Sequence, residues 1–106
     1  MENLIGINLL SIANMTFYFI CYDITDDKRR NKIFKALTDF GIHRQFSVFE
    51  CKLTEKDFLK MKARLTELIN HDEDQVLLIP LNGECYAQVE TIGTSRTVDD
   101  SPAQVF

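Results

Sequence analysis

Asp23 closes the run Thr16-Phe17-Tyr18-Phe19-Ile20-Cys21-Tyr22, and the basic segment Lys28-Arg29-Arg30 opens five residues later. A carboxylate at the end of an apolar strand is costly to bury unless it is hydrogen-bonded, paired or bound to a metal. Asp23 is thus a candidate functional group, with the alternative that it merely caps the next helix. Tyr22 beside it either orients such a site or packs. His43 and His71 have no partner spacing and are expected to face solvent. Cys21, Cys51 and Cys85 are odd in number and lack metal-ligand spacing, and two fall inside predicted strands, so they read as reduced core thiols of a cytosolic protein.

The net charge of −4 argues against a nucleic-acid partner until its distribution is considered. Of 12 Lys and Arg residues, 11 lie between Lys28 and Arg64, against four acids there: Asp39, Glu50, Glu55 and Asp57. Acids gather instead at Asp72, Glu73, Asp74, Glu84, Glu90, Asp99 and Asp100. This asymmetry fits one basic surface able to meet phosphates. Two amphipathic helices with solvated Lys-rich faces give the same pattern.

The elements that must position these residues follow from periodicity. Thr16 to Asp23 reads as a strand buried on both faces, with Phe17, Phe19, Cys21 and Asp23 on one side and Tyr18, Ile20 and Tyr22 on the other. Thr25 or Asp26 caps a helix whose stripe is Ile33, Phe34, Leu37 and Phe40, with Gly41 as its stop. Lys28, Arg29, Lys32 and Lys35 lie largely off that stripe. Arg44 to Leu53 reads as a strand, whole or bent into two. Thr54 to Asp57 resembles a capping box, and Phe58, Met61, Leu65, Leu68 and Ile69 form a second helical stripe. Gln75 to Leu81 reads as a short buried strand with Pro80 near its end or at an edge. Tyr86 to Ile92 reads as a last strand.

A chain of 106 residues is one domain. The order of elements predicts an α+β ferredoxin-like sandwich, βαββαβ with an additional C-terminal strand. Residues 15–92 are assigned to it. Residues 1–14 are too short and too polar for a membrane span or signal peptide, and are expected to be an extension or alternative-start arm. Residues 93–106 are expected to be a tail. Both helices cover one sheet face. The other face, carrying Phe17, Phe19 and Phe49 or their opposites, has no cover in the chain, so a homodimer is expected.

Tyr22-Asp23-Ile24-Thr25-Asp26-Asp27-Lys28-Arg29-Arg30, then Gly41, then Gln45-Phe46-Ser47-Val48-Phe49-Glu50, resembles the small CRISPR-associated spacer-acquisition nuclease family, Cas-two. The resemblance runs from about Met15 to Ile92. It implies a homodimer in which Asp23 faces its symmetry mate, so that two carboxylates hold one shared Mg²⁺ as the catalytic metal. It also implies phosphate contacts from Arg29, Arg30, Lys32 and Arg44, with Tyr22, Ser47 and Phe49 as auxiliary residues. Phe49 is either a base-stacking platform or a core aromatic.

Two functions follow from the resemblance. One is a cytoplasmic, metal-dependent endonuclease on RNA or DNA. The other is a DNA-binding scaffold that bridges copies of the spacer-acquisition integrase, Cas-one. A third, outside the family, is a ferredoxin-like RNA-binding or regulatory dimer without catalysis.

Overall fold

The computed structural model describes residues 15–94, and the expected arm and most of the expected tail lie outside them. The elements run β1 (Thr16–Asp23), α1 (Asp27–Thr38), β2 (Gly41–Gln45), β3 (Val48–Leu53), α2 (Glu55–Leu68), β4 (Gln75–Leu81) and α3 (Gly83–Ala87). Four strands form one sheet in the order β2-β3-β1-β4, with every neighbouring pair antiparallel. This is the expected ferredoxin-like arrangement, with β1 central.

The helices form where the sequence stops them competing with the sheet. Asp26 caps α1 by accepting the Arg29 N–H, and Asp27 suits the positive end of its dipole. Thr54 caps α2 by accepting from the Asp57 N–H. Ile33, Ala36 and Leu37 of α1 and Met61 and Leu65 of α2 meet Ile20, Tyr22, Phe49, Cys51 and Leu53 in one core. Tyr18 stacks on Phe58 at a ring-centroid distance of 4.5 Å and extends that core along β1. Gly41 begins β2 rather than stopping α1. A Cβ there would collide with the Glu50 carbonyl and the Cys51 sulfur, so glycine is needed for close strand approach.

Register assigns the faces. One row across the outer face runs Ile42–Glu50–Phe19–Ile79, and the row beneath the helices runs His43–Phe49–Ile20–Leu78. Phe49 therefore belongs to the core face and is fully buried, not on the uncovered face. Of the two readings of Arg44–Leu53 the bent one holds: the end of β2 and all of β3 are joined through Phe46 and Ser47, with a bulge between His43 and Gln45. One other expectation changes. No last strand forms at Tyr86–Ile92. Asn82 accepts the Cys85 N–H and starts the short helix α3, which takes Tyr86 and Ala87 out of extended conformation.

The outer face is also not wholly bare. Tyr86 lies flat on Phe17, with ring centroids 3.8 Å apart and planes 3° from parallel. Beyond it, Leu77 and Ile79 of β4 remain 48% and 40% exposed, so β4 is buried on one side only. Pro80 sits in that edge strand, where no outer neighbour needs its missing N–H.

Candidate functional site

The polar end of β1 is built on a carboxylate that needs no local compensation. Asp23 is exposed, and its side chain makes no hydrogen bond or ion pair among the described residues. The burial cost that marked it in the sequence does not arise within one chain. Nor does it cap α1, since Asp26 fills that place.

Its surroundings are fixed. Tyr22 is 5% exposed, and its backbone N–H donates to the Ser47 carbonyl at 3.0 Å. The Tyr22 hydroxyl donates to the Phe46 carbonyl at 3.2 Å. Burial pushes that phenol up, and the nearby Arg30 charge partly opposes it. Arg30 itself donates to the Ile24 carbonyl at 3.0 Å and pairs with Asp27 at 2.7 Å. Its side chain stays 42% exposed, so the guanidinium is held beside the end of β1 with donors to spare.

Arg29 behaves differently. Its Nε lies 2.8 Å from Asp74 Oδ2, and its Nη2 lies 3.2 Å from Glu73 Oε1. Asp74 also accepts the N–H groups of Thr25 at 3.1 Å and Asn70 at 2.8 Å. The Arg29 hydrogen bond, then those two N–H groups, hold the Asp74 carboxyl well below the usual carboxylate range. Arg29 thus ties the turn after β1 to the turn before β4. Its guanidinium is therefore already engaged by two carboxylates of this chain.

Arg44 is placed elsewhere again. Its Nε lies 3.2 Å from Glu50 Oε1 on the outer sheet face, and Tyr86 donates its hydroxyl to Glu50 Oε2. Glu50 is 1% exposed and Arg44 14%, so this is a largely desolvated pair. Oε1 takes the charge of Arg44 without a well-aligned hydrogen bond. Burial first, then Glu50, raises the Tyr86 phenol to about 12. Lys32 is exposed on α1. Phe49 is sealed in the core, so it cannot offer a face to a base.

The predicted set therefore separates. Asp23, Tyr22, Ser47 and Arg30 lie at one end of β1, with Phe49 packed beneath Tyr22 in the core. Arg29 is tied to Asp74 beside Thr25, Arg44 is paired with Glu50, and Lys32 is exposed on α1. His43, expected in solvent, is half-buried, with its ring 5.0 Å from Phe34 and 5.1 Å from Phe49. The sequence reading missed Phe46, which is 94% exposed. Its signal was an aromatic next to serine where a strand must turn. No group of three or more His, Cys, Asp or Glu is placed to hold a metal among the described residues. No helix among them is long and apolar enough to cross a membrane.

The family model described as CRISPR associated protein Cas2 matches residues 15–89, from the start of β1 to just past α3. The chain belongs to this family. It is 39% identical over 79 residues to "CRISPR-associated endoribonuclease Cas2 3" of Synechocystis sp., covering 74% of this chain and 86% of that one. It is 41% identical over 82 residues to "CRISPR-associated endoribonuclease Cas2" of Geobacter sulfurreducens, covering 77% and 86%. The crystal structure of Streptococcus pyogenes Cas2 superposes with a TM-score of 0.65 at 32% identity, over 73% of this chain and 99% of that one. The Cas2 match ends where the outer face receives Tyr86, so it takes in the whole sheet and both long helices.

Proposed function

We propose that the protein is a metal-dependent endonuclease of CRISPR spacer acquisition, acting on RNA phosphodiesters as a cytoplasmic homodimer. The observation that carries this reading is Asp23. It is an exposed carboxylate without a partner among the described residues, at the end of the central strand, in a family whose relatives carry the name endoribonuclease. The exposed Leu77 and Ile79 on the same sheet face favour a second copy there. A two-fold axis near the end of β1 brings a second Asp23 to the first.

Among the described residues, one chain offers too few ligands for a metal. Two carboxylates suit Mg²⁺, which keeps several waters and takes one or two carboxylates. Asp23 of each copy would hold the ion. When bound, Mg²⁺ supplies a Lewis acid for the phosphate and a more acidic water. The rest is done by the chain's own groups. Arg30 donates charge-assisted hydrogen bonds to non-bridging phosphate oxygens. Tyr22, fixed to Phe46 and Ser47 through its hydroxyl and N–H, keeps the strand end rigid so that Asp23 is presented in one geometry.

Asp23→Asn tests this reading. Mg²⁺-dependent cleavage of RNA should fall by at least about 100-fold, with the dimer and thermal midpoint unchanged. Cleavage at the wild-type rate would remove the proposal. A second reading is favoured by the exposed lysines Lys28, Lys32, Lys35, Lys56, Lys60 and Lys62 on the two long helices. They suit a duplex backbone held for the integrase Cas-one. Spacer acquisition that survives Asp23→Asn in cells selects that reading.

A further inference from the structure

We propose that Phe46 is a nucleobase-stacking platform, a subsite that holds one base of a single-stranded RNA beside Asp23. This inference rests on the endonuclease reading above.

Phe46 is among the most exposed large apolar residues described, at 94%, and exposing a whole phenyl ring normally has a cost. It does not lie on a loose loop. Its carbonyl accepts from the Tyr22 hydroxyl at 3.2 Å and meets His43 Nε2 at 2.9 Å. The next carbonyl, that of Ser47, accepts the Tyr22 N–H at 3.0 Å. Tyr22 is itself buried, and His43 packs on Phe34 and Phe49. Three contacts from two core-anchored residues therefore hold the backbone beneath one solvent-facing ring. A rigid aromatic loses little entropy when it binds a flat partner.

Place and charge select the partner. Tyr22 immediately precedes Asp23, so strand geometry puts the Phe46 backbone roughly 7–10 Å from Asp23. That is about one nucleotide step from the bond to be cut. The Arg30 guanidinium sits at the same end of β1, half-exposed, with donors for a phosphate. Phe46 also borders an open groove of about 400 Å³ with His43, Arg44 and Gln45, whose surface is mostly apolar with an imidazole and a side-chain amide at its edge. An exposed aromatic face beside a side-chain amide, with the Arg30 cation at the same strand end, fits an unpaired base better than an apolar protein surface. Phe49, in the same motif, is fully buried and leaves this role to Phe46.

The test uses the full chain and a labelled single-stranded RNA dodecamer in EDTA, so that binding is read without cleavage. Phe46→Ala and Phe46→Leu should each weaken binding by about ten-fold, and Phe46→Tyr should stay close to wild type. A dodecamer with one abasic position next to the cleavage point should bind wild type more weakly by a similar factor. The same RNA should cost Phe46→Ala almost nothing further, because both changes remove one contact. Equal affinity of all variants for the intact RNA overturns the subsite, as does an undiminished abasic penalty in Phe46→Ala. Loss of the dimer in Phe46→Ala at the assay concentration also overturns it, and makes the ring a contact between copies. Cleavage assays with Mg²⁺ separate the two claims. If wild type cuts RNA and Asp23→Asn does not, while Phe46→Ala binds normally, the subsite fails and the endonuclease reading stands. If Asp23→Asn cuts as wild type while Phe46→Ala loses base-dependent binding, the stacking site stands and the catalytic reading fails. A wild-type protein that binds no RNA removes both.

Discussion

The Tyr22 hydroxyl and the Phe46 carbonyl are joined by a 3.2 Å hydrogen bond that spans 24 residues and fastens the β2–β3 turn to the end of the central strand. Removing only this bond should be mild for folding. Tyr22→Phe should cost about 1 kcal/mol in urea unfolding. Its effect on RNA cleavage should exceed its effect on stability, because the strand end and the turn no longer move together. A stability loss with full activity would make the bond purely structural.

A second link crosses the same region from the other side. Arg29 and Asp74 lie 45 residues apart in sequence and 2.8 Å apart in space. The folded carboxyl of Asp74 is held well below its unfolded value, so its contribution is present above the ordinary carboxylate range and is lost as pH falls below about 4. Chemical denaturation from pH 7 down to pH 2 should therefore show an acid limb. Asp74→Asn should lower stability at pH 7 and flatten that limb. An unchanged limb in the variant would assign acid sensitivity to other groups.

These two links show how unevenly the sequence could be read. The strand ending in Asp23, both long helices and their caps were legible, because apolar period and capping residues are local signals. The Arg29–Asp74 pair was not, since nothing local tells a basic residue on a helix that its partner lies on a distant turn. Phe49 stayed open between a stacking and a core role, and Phe46 had none, for a related reason. The turn at Phe46 and Ser47 carries no glycine or Asn-Gly signature, so the run read equally as one strand or two and the place of the turn was not fixed. Tyr86–Ile92 read as a last strand. Asn82 capping Cys85 decided for a helix instead.

The core assignment of Phe49 makes its own prediction. The ring is fully buried against Tyr22 and Phe34, at centroid distances of 6.2 and 5.3 Å. Phe49→Ala should destabilise the fold by about 3–5 kcal/mol, measured by urea denaturation. A loss of RNA binding with no loss of stability would return Phe49 to the nucleic-acid surface.

Tyr86 should be visible in an alkaline titration. With its phenol raised to about 12 by burial and by Glu50, the folded state holds that proton longer than the unfolded chain does. Its stabilising effect is present below about pH 10 and is lost as pH rises towards 12. The ultraviolet titration of wild type minus that of Tyr86→Phe should report one phenol ionising near 12. A difference curve centred near 10 would mean that the Tyr86–Glu50 contact does not persist in solution.

Metal stoichiometry tests the central claim most directly. Calorimetric titration of Mg²⁺ into the protein should find one ion for every two chains, and Asp23→Asn should abolish that binding while remaining dimeric. Binding of equal strength in Asp23→Asn, or one ion per chain in a monomer, would contradict a site made from the two Asp23 carboxylates.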